Sequence, residues 1–158
     1  MLTFFVQLIS LVLAGAALFF LWRKTISSDP WTNLAITAGF AIRAFLGQVL
    51  FWVSWGRLPL ARSLQVGQGF WFFAMDAFSE YYPHAVLTAD RGISAIIHYP
   101  RGAASASFVQ VLSVAVLLFG EQASTGLLLN LFCFLGSSYL IVHWADGRLR
   151  ARAAVRVA

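Results

Sequence analysis

Residues 69 to 85 read GFWFFAMDAFSEYYPHA, which sets Asp76 among aromatic rings and follows it with Glu80 and His84. A carboxylate placed there has two chemical uses. It can take the proton of a hydroxyl, because apolar walls raise a carboxyl pKa toward the value a general base needs. It can also help to hold a divalent cation: on a continuous helix Asp76, Glu80 and His84 fall at i, i+4 and i+8, on one face. Pro83 opposes the second use. Its ring meets the carbonyl of Ser79 and biases Tyr82 away from helical geometry, so His84 is expected in a second short helix begun at Pro83, and no metal site is assigned. The bland alternative is that the rings anchor to lipid while Asp76 points to water.

Arg43 is the next informative side chain, since it lies within an apolar run. An arginine at the centre of a membrane helix costs about 2.5 to 3.5 kcal/mol, so it needs a partner: a backbone carbonyl or an anionic substrate. Arg91 and Arg101 flank the end of the same polar segment and suit either a phosphate or a lipid headgroup. His98 and His143 stand alone and are not assigned as ligands. Cys133 is the single cysteine, which excludes an intrachain disulfide and a zinc framework.

The elements that must position these residues follow from composition. Sixty per cent of the 158 residues are hydrophobic, 11% are charged, and the mean hydropathy is +0.78. Soluble domains are about half apolar, so the chain reads as an all-α integral membrane protein with one membrane domain over 1–158. Four apolar runs approach the roughly 20 residues that cross a bilayer, near 2–22, 31–55, 103–120 and 123–145. The first ends at Arg23 and Lys24 without a cleavage signal and is expected to remain as a helix. Asp29 before Pro30 is the expected N-cap of the second. Four residues, Phe119 to Gln122, join the third and fourth into an antiparallel hairpin. Gly126, Gly136, Ser137 and Ser138 are small enough to let neighbouring helices approach. Between the second and third spans, 56–102 is too polar to cross and too aromatic to be free, and its part over 67–88 is expected to lie on the membrane surface.

Asp76 followed by Tyr81, Tyr82 and Ala85, then Tyr99-Pro100, VLLFGEQASTGLLLN and an aromatic-rich helix, resembles the N-terminal part of the GT-C superfamily of membrane glycosyltransferases. The likeness runs from about residue 38 to residue 144. It implies that Asp76 lies in an outward-facing loop and deprotonates an acceptor hydroxyl, or helps to hold a divalent cation, as a sugar leaves a polyprenyl phosphate donor. Arg43, Glu80, Tyr81, Tyr82, Arg91 and Arg101 are then the candidate substrate contacts. It also implies a bacterial inner (plasma) membrane setting.

Members of that superfamily have many more than four spans, so the chain corresponds to a front module or a split form. The alternative is a non-catalytic subunit that keeps the scaffold and packs its rings against a partner membrane polypeptide. Four spans would put the amino terminus, the Asp76 loop and the basic tail on one side, which the positive-inside tendency makes cytoplasmic; the resemblance makes that loop extracytoplasmic. Nucleic acid is not an expected partner. A soluble enzyme, a channel and a transporter rank lower, because no repeated half, acidic ring or pair of broken helices is visible.

Overall fold

Uninterrupted apolar runs become the long helices. The computed structural model describes the backbone of residues 2–27, 29–100 and 105–157, and the side chains of 5–27, 29–100 and 105–145. Helix α1 is Leu2–Thr25, α2 is Pro30–Trp55 and α6 is Ala123–Val157. Each contains a segment long and apolar enough to cross a membrane: Phe5–Thr25, Pro30–Trp55 and Ala123–Ala145. Most of that apolar surface is uncovered by protein, as expected for helices that meet lipid. The short helices are α3, Tyr82–Asp90, α4, Ile93–Ile97, and α5, Ala106–Phe119.

Asp29 starts α2 as expected. Its carboxylate accepts from the Thr32 N–H at 2.7 Å and the Thr32 hydroxyl at 2.6 Å, satisfying donors that the first turn leaves free. Asn33 braces the same turn, with its amide donating to the Ser27 carbonyl and its side-chain oxygen accepting from the Ser27 N–H.

Contacts along the bundle fix its direction. The Trp22 indole donates to the Thr37 hydroxyl at one end of the α1–α2 pair. At the other end, Gln7 lies against Gly120. On α2, Gly39 meets Phe134 and Gly47 meets Leu127, so α2 and α6 run antiparallel. These two glycines are the places where large side chains of α6 enter. Gly126 and Gly136, expected at that interface, have open space beside them instead. The reason is that α6 supplies the knobs and α2 the holes.

The third expected span differs most. Helix α5 has 14 residues, a length of about 21 Å at 1.5 Å per residue, against a hydrocarbon layer of about 30 Å. It is also the most enclosed helix, burying Val109, Leu112, Ser113, Ala115 and Val116. Ala85 and Ala89 of α3 pack on Val109, Leu112 and Val116 to make the best-buried cluster. Small residues on α3 let the two backbones approach side by side, with Tyr81 edge-on to Phe108 at one end and Asp90 beside Gly120 at the other.

Past α2 the chain turns back on itself. Gly56, Arg57 and Leu58 donate to Trp52, Ser54 and Val53 carbonyls, a helix end that requires a left-handed residue at Arg57, φ 48°. An arginine there costs about 1 kcal/mol more than glycine. A minute hairpin follows, β1 (Gln65–Gly67) against β2 (Phe70–Trp71). Gln68 and Gly69, both at positive φ, form its turn. The segment 67–88, expected as surface helix with a restart at Pro83, is instead a hairpin, a short 3-10 turn (Phe72–Ala74), a π-turn (Ala77–Tyr81) and α3.

Candidate functional site

The hairpin straps the aromatic stretch to α2. Trp71 donates its indole N–H to the Leu50 carbonyl at 2.8 Å, and Ser54 donates its hydroxyl to the Phe70 carbonyl at 2.6 Å. Both polar groups lie at the α2 surface, and Phe70 and Trp71 are buried. The aromatic stretch is therefore drawn down along α2 instead of lying across its end. Gly47, Phe73, Ala74, Ala77 and Asn130 line one cleft of about 350 Å³. Gly47 lies eight residues before the end of α2, about 12 Å down its axis.

Phe70 and Tyr82 divide this cleft from a wider hollow of about 830 Å³ that continues past Phe78, Ser79 and Val86 to Glu121. The dividing rings stack edge-to-face with centroids 5.1 Å apart. Burial, with the Glu121 carboxylate adding repulsion, pushes the Tyr82 phenol up to about 12. Tyr82 thus remains a neutral hydrogen-bonding group and never serves as a base near neutral pH.

Pro83 leaves its mark on the residues before it. The Tyr82 N–H donates to the Ala77 carbonyl, five residues back, and the ring of Pro83 occupies the first turn of α3. Widening to a π-turn gives room to the proline, which has no N–H to continue the ladder. The expected break before Pro83 is absent: Tyr82 keeps helical geometry, φ −67° and ψ −47°, and the π-turn runs into α3 without interruption. Asp76 opens this turn and Glu80 sits within it, both exposed. The rings do not wall in Asp76, which corrects the expected apolar enclosure: Phe70 and Trp71 turn toward α2, and Phe72 and Phe73 turn outward, 62% and 72% exposed. Among the described residues no three metal-ligating side chains converge.

Arg43 is exposed among the protein's side chains and finds its partners on α2 itself and on α6. Its guanidinium lies 4.2 Å from the centre of the Phe134 ring and donates to the Gly39 carbonyl at 3.4 Å. It sits one turn from Gly47, as Phe134 sits one turn from Asn130, and neither side chain lines the cleft itself. Tyr81 packs against the α3–α5 cluster, and Arg91 is exposed at the end of α3. Arg101 lies outside the described residues. The structure thus gathers Tyr82 and the residues beside Asp76, Ala74 and Ala77, along one cleft, and leaves Arg43 and Arg91 outside its lining.

Neither a family model, a curated protein nor a solved structure matches the chain.

Asn130 is the residue that sequence reasoning passed over. It is exposed and is the one amide side chain lining the cleft. Its signal was an asparagine closing the run GLLL within an otherwise apolar helix. The hollow bounded by Arg57 and Arg62 was equally silent, because it depends on how the chain turns after α2.

Proposed function

We propose that the chain is a three-span membrane module whose Asp76 segment faces the extracytoplasmic side and dips into the outer half of the bilayer. In this reading α1, α2 and α6 cross, and α5, too short to cross, stands with α3 inside the outer leaflet. One end of the bundle then carries Arg23, Lys24, Arg148, Arg150, Arg152 and Arg156. The other carries Arg57, Arg62 and Arg91, offset by Asp76, Glu80, Asp90 and Glu121. The positive-inside tendency assigns the first end to the cytoplasm. The loop then faces outward, where the glycosyltransferase resemblance also puts it, and the conflict that four spans create disappears.

Within that frame the favoured function is sugar transfer from a polyprenyl phosphate, carried out as part of a larger membrane assembly. The supporting observation is the pair of carboxylates on the π-widened turn above an apolar cleft of chain-like lining. The lipid chain lies in the cleft. Asp76 takes the acceptor's hydroxyl proton, the freed oxygen bonds to the anomeric carbon, and the sugar–phosphate bond breaks with its electron pair on the leaving phosphate. Asp76 is open to solvent, so a second surface of the assembly must close over it to exclude water from the transfer.

Membranes holding the wild-type protein and its assembly should transfer labelled sugar from a polyprenyl phosphate donor. Asp76→Asn should lower that rate about a hundredfold or more while the protein accumulates normally. Undiminished transfer by the variant would remove Asp76 from catalysis.

The accessory-subunit reading is favoured by a different observation: Phe72 and Phe73 stand largely exposed on the same segment, Phe73 stacked only on its neighbour Trp71 along one face of its ring. It expects Phe72→Ser with Phe73→Ser to release a partner polypeptide in mild detergent, with Asp76→Asn harmless.

A further inference from the structure

The loop after α2 contains two arginines held in place by an unusual amount of local structure. Arg57 and Arg62 line a hollow of about 430 Å³ together with Gln65, Val66 and Gly67. Arg57 occupies a left-handed conformation where glycine is the natural choice. Ala61, also left-handed at φ 49°, bends the chain again and starts the short turn Arg62–Leu64. The Gln65 amide straps the bend by donating to the Leu58 carbonyl at 2.8 Å and the Leu60 carbonyl at 2.6 Å. Gly67, at φ 107°, leaves room beside the Arg57 guanidinium, whose Nη2 would lie 3.8 Å from any β-carbon there.

Both guanidinium groups are exposed and free to meet a ligand. No carboxylate pairs with either among the described residues, and the final carbonyls of α2 that would attract them already accept from Gly56, Arg57 and Leu58. A strained backbone that keeps an arginine where glycine fits better points to a use for the charge. Trp55, Leu58, Leu60 and Leu64, in the same stretch of chain, are exposed apolar side chains, the pattern that sets a segment's depth at a membrane surface. A guanidinium pair at headgroup depth matches the fork geometry of phosphate oxygens.

We propose that Arg57 and Arg62 form a binding site for a phosphate group, carried by a membrane lipid. The site is separate from the Asp76 cleft and does not depend on whether that cleft is catalytic.

The test uses the full chain in a phosphate-free maltoside detergent, titrated with dioctanoyl phosphatidic acid and, separately, with inorganic phosphate, by calorimetry. Saturable binding of phosphatidic acid is expected, weakened about tenfold by Arg62→Gln and by Arg57→Gly, the loss of one charge-assisted contact each. Arg57→Gly relieves the left-handed strain, so its Tm should equal or exceed that of the wild type while its binding falls; a merely structural arginine would not separate the two. Arg91→Gln, which removes an exposed arginine outside the hollow, should leave binding unchanged. Phosphatidic acid binding well above inorganic phosphate supports a lipid source, and equal affinities replace it with free phosphate at the same site. Absence of saturable binding of either, or equal weakening by Arg91→Gln, overturns the proposal.

Discussion

Asp29 and Arg43 show how single polar side chains are accommodated in this apolar chain. Asp29 caps α2, and the Thr32 hydroxyl, then its backbone N–H, hold the carboxyl below its ordinary value of 3.8. A depressed folded-state pKa contributes stability that is complete above the unfolded value and disappears as pH falls through the folded one. Asp29→Asn keeps a capping oxygen without the charge. Thermal denaturation in detergent should therefore show the wild type ahead of this variant at neutral pH, with the gap closing on acidification below the ordinary carboxylate range. A constant gap would mean that the carboxylate charge is irrelevant to the cap. Arg43 makes the opposite case. Its contact with Phe134 is worth about 0.5–1 kcal/mol at an exposed site, less than a guanidinium costs within a membrane helix. Arg43→Met is accordingly expected to match or raise the wild-type Tm. A fall of several degrees would show that the charge has a structural role that the ring contact does not explain.

At the scale of elements, the decisive events are two interruptions of an aromatic stretch. Pro83 converts the turn before it to π geometry; the proline marks the place in the sequence, but the expected break of the helix gives way to a widened turn that absorbs the ring and continues into α3. The hairpin was not read, although its turn residues Gln68 and Gly69 carry a recognisable glycine signal. The neighbouring rings outweighed that signal and suggested one surface helix. The glycine turn prevailed because the hairpin puts Trp71 and Phe70 against α2, where their polar groups find Leu50 and Ser54. Gly69 is the position to test. At φ 88° it is left-handed, and a β-carbon would stand 2.5 Å from the Phe51 ring and 3.2 Å from Ala123. Gly69→Ala combines backbone strain with overpacking and should cost roughly 2 kcal/mol or more. Guanidinium or urea titration in detergent, with Trp71 fluorescence as the reporter, measures it; an unchanged midpoint would mean that the hairpin gives way without loss.

For the whole molecule, the length of α5 separates two topologies. With three spans, a cysteine at position 79 and one at position 151 lie on opposite sides of the membrane; with four, they share a side. In a Cys133→Ala background, Ser79→Cys should react with an impermeant thiol reagent in intact cells, and Ala151→Cys only after lysis. Equal labelling of the two would restore the fourth crossing. The membrane class, the long helices and the N-cap at Asp29 were determined by the sequence itself, because hydropathy over about 20 residues and a capping acid before proline act through local chemistry. Which residues share a cleft was decided only by the tertiary structure. The depth of the Asp76 segment depends on hydrogen bonds from Trp71 and Ser54 across 21 and 16 residues. Arg43 is matched by Phe134 on another helix, and α5 is held as a short, buried helix by α3. Such pairings depend on contacts between distant residues, and apolar periodicity has the same value for a helix facing lipid, a partner or a core.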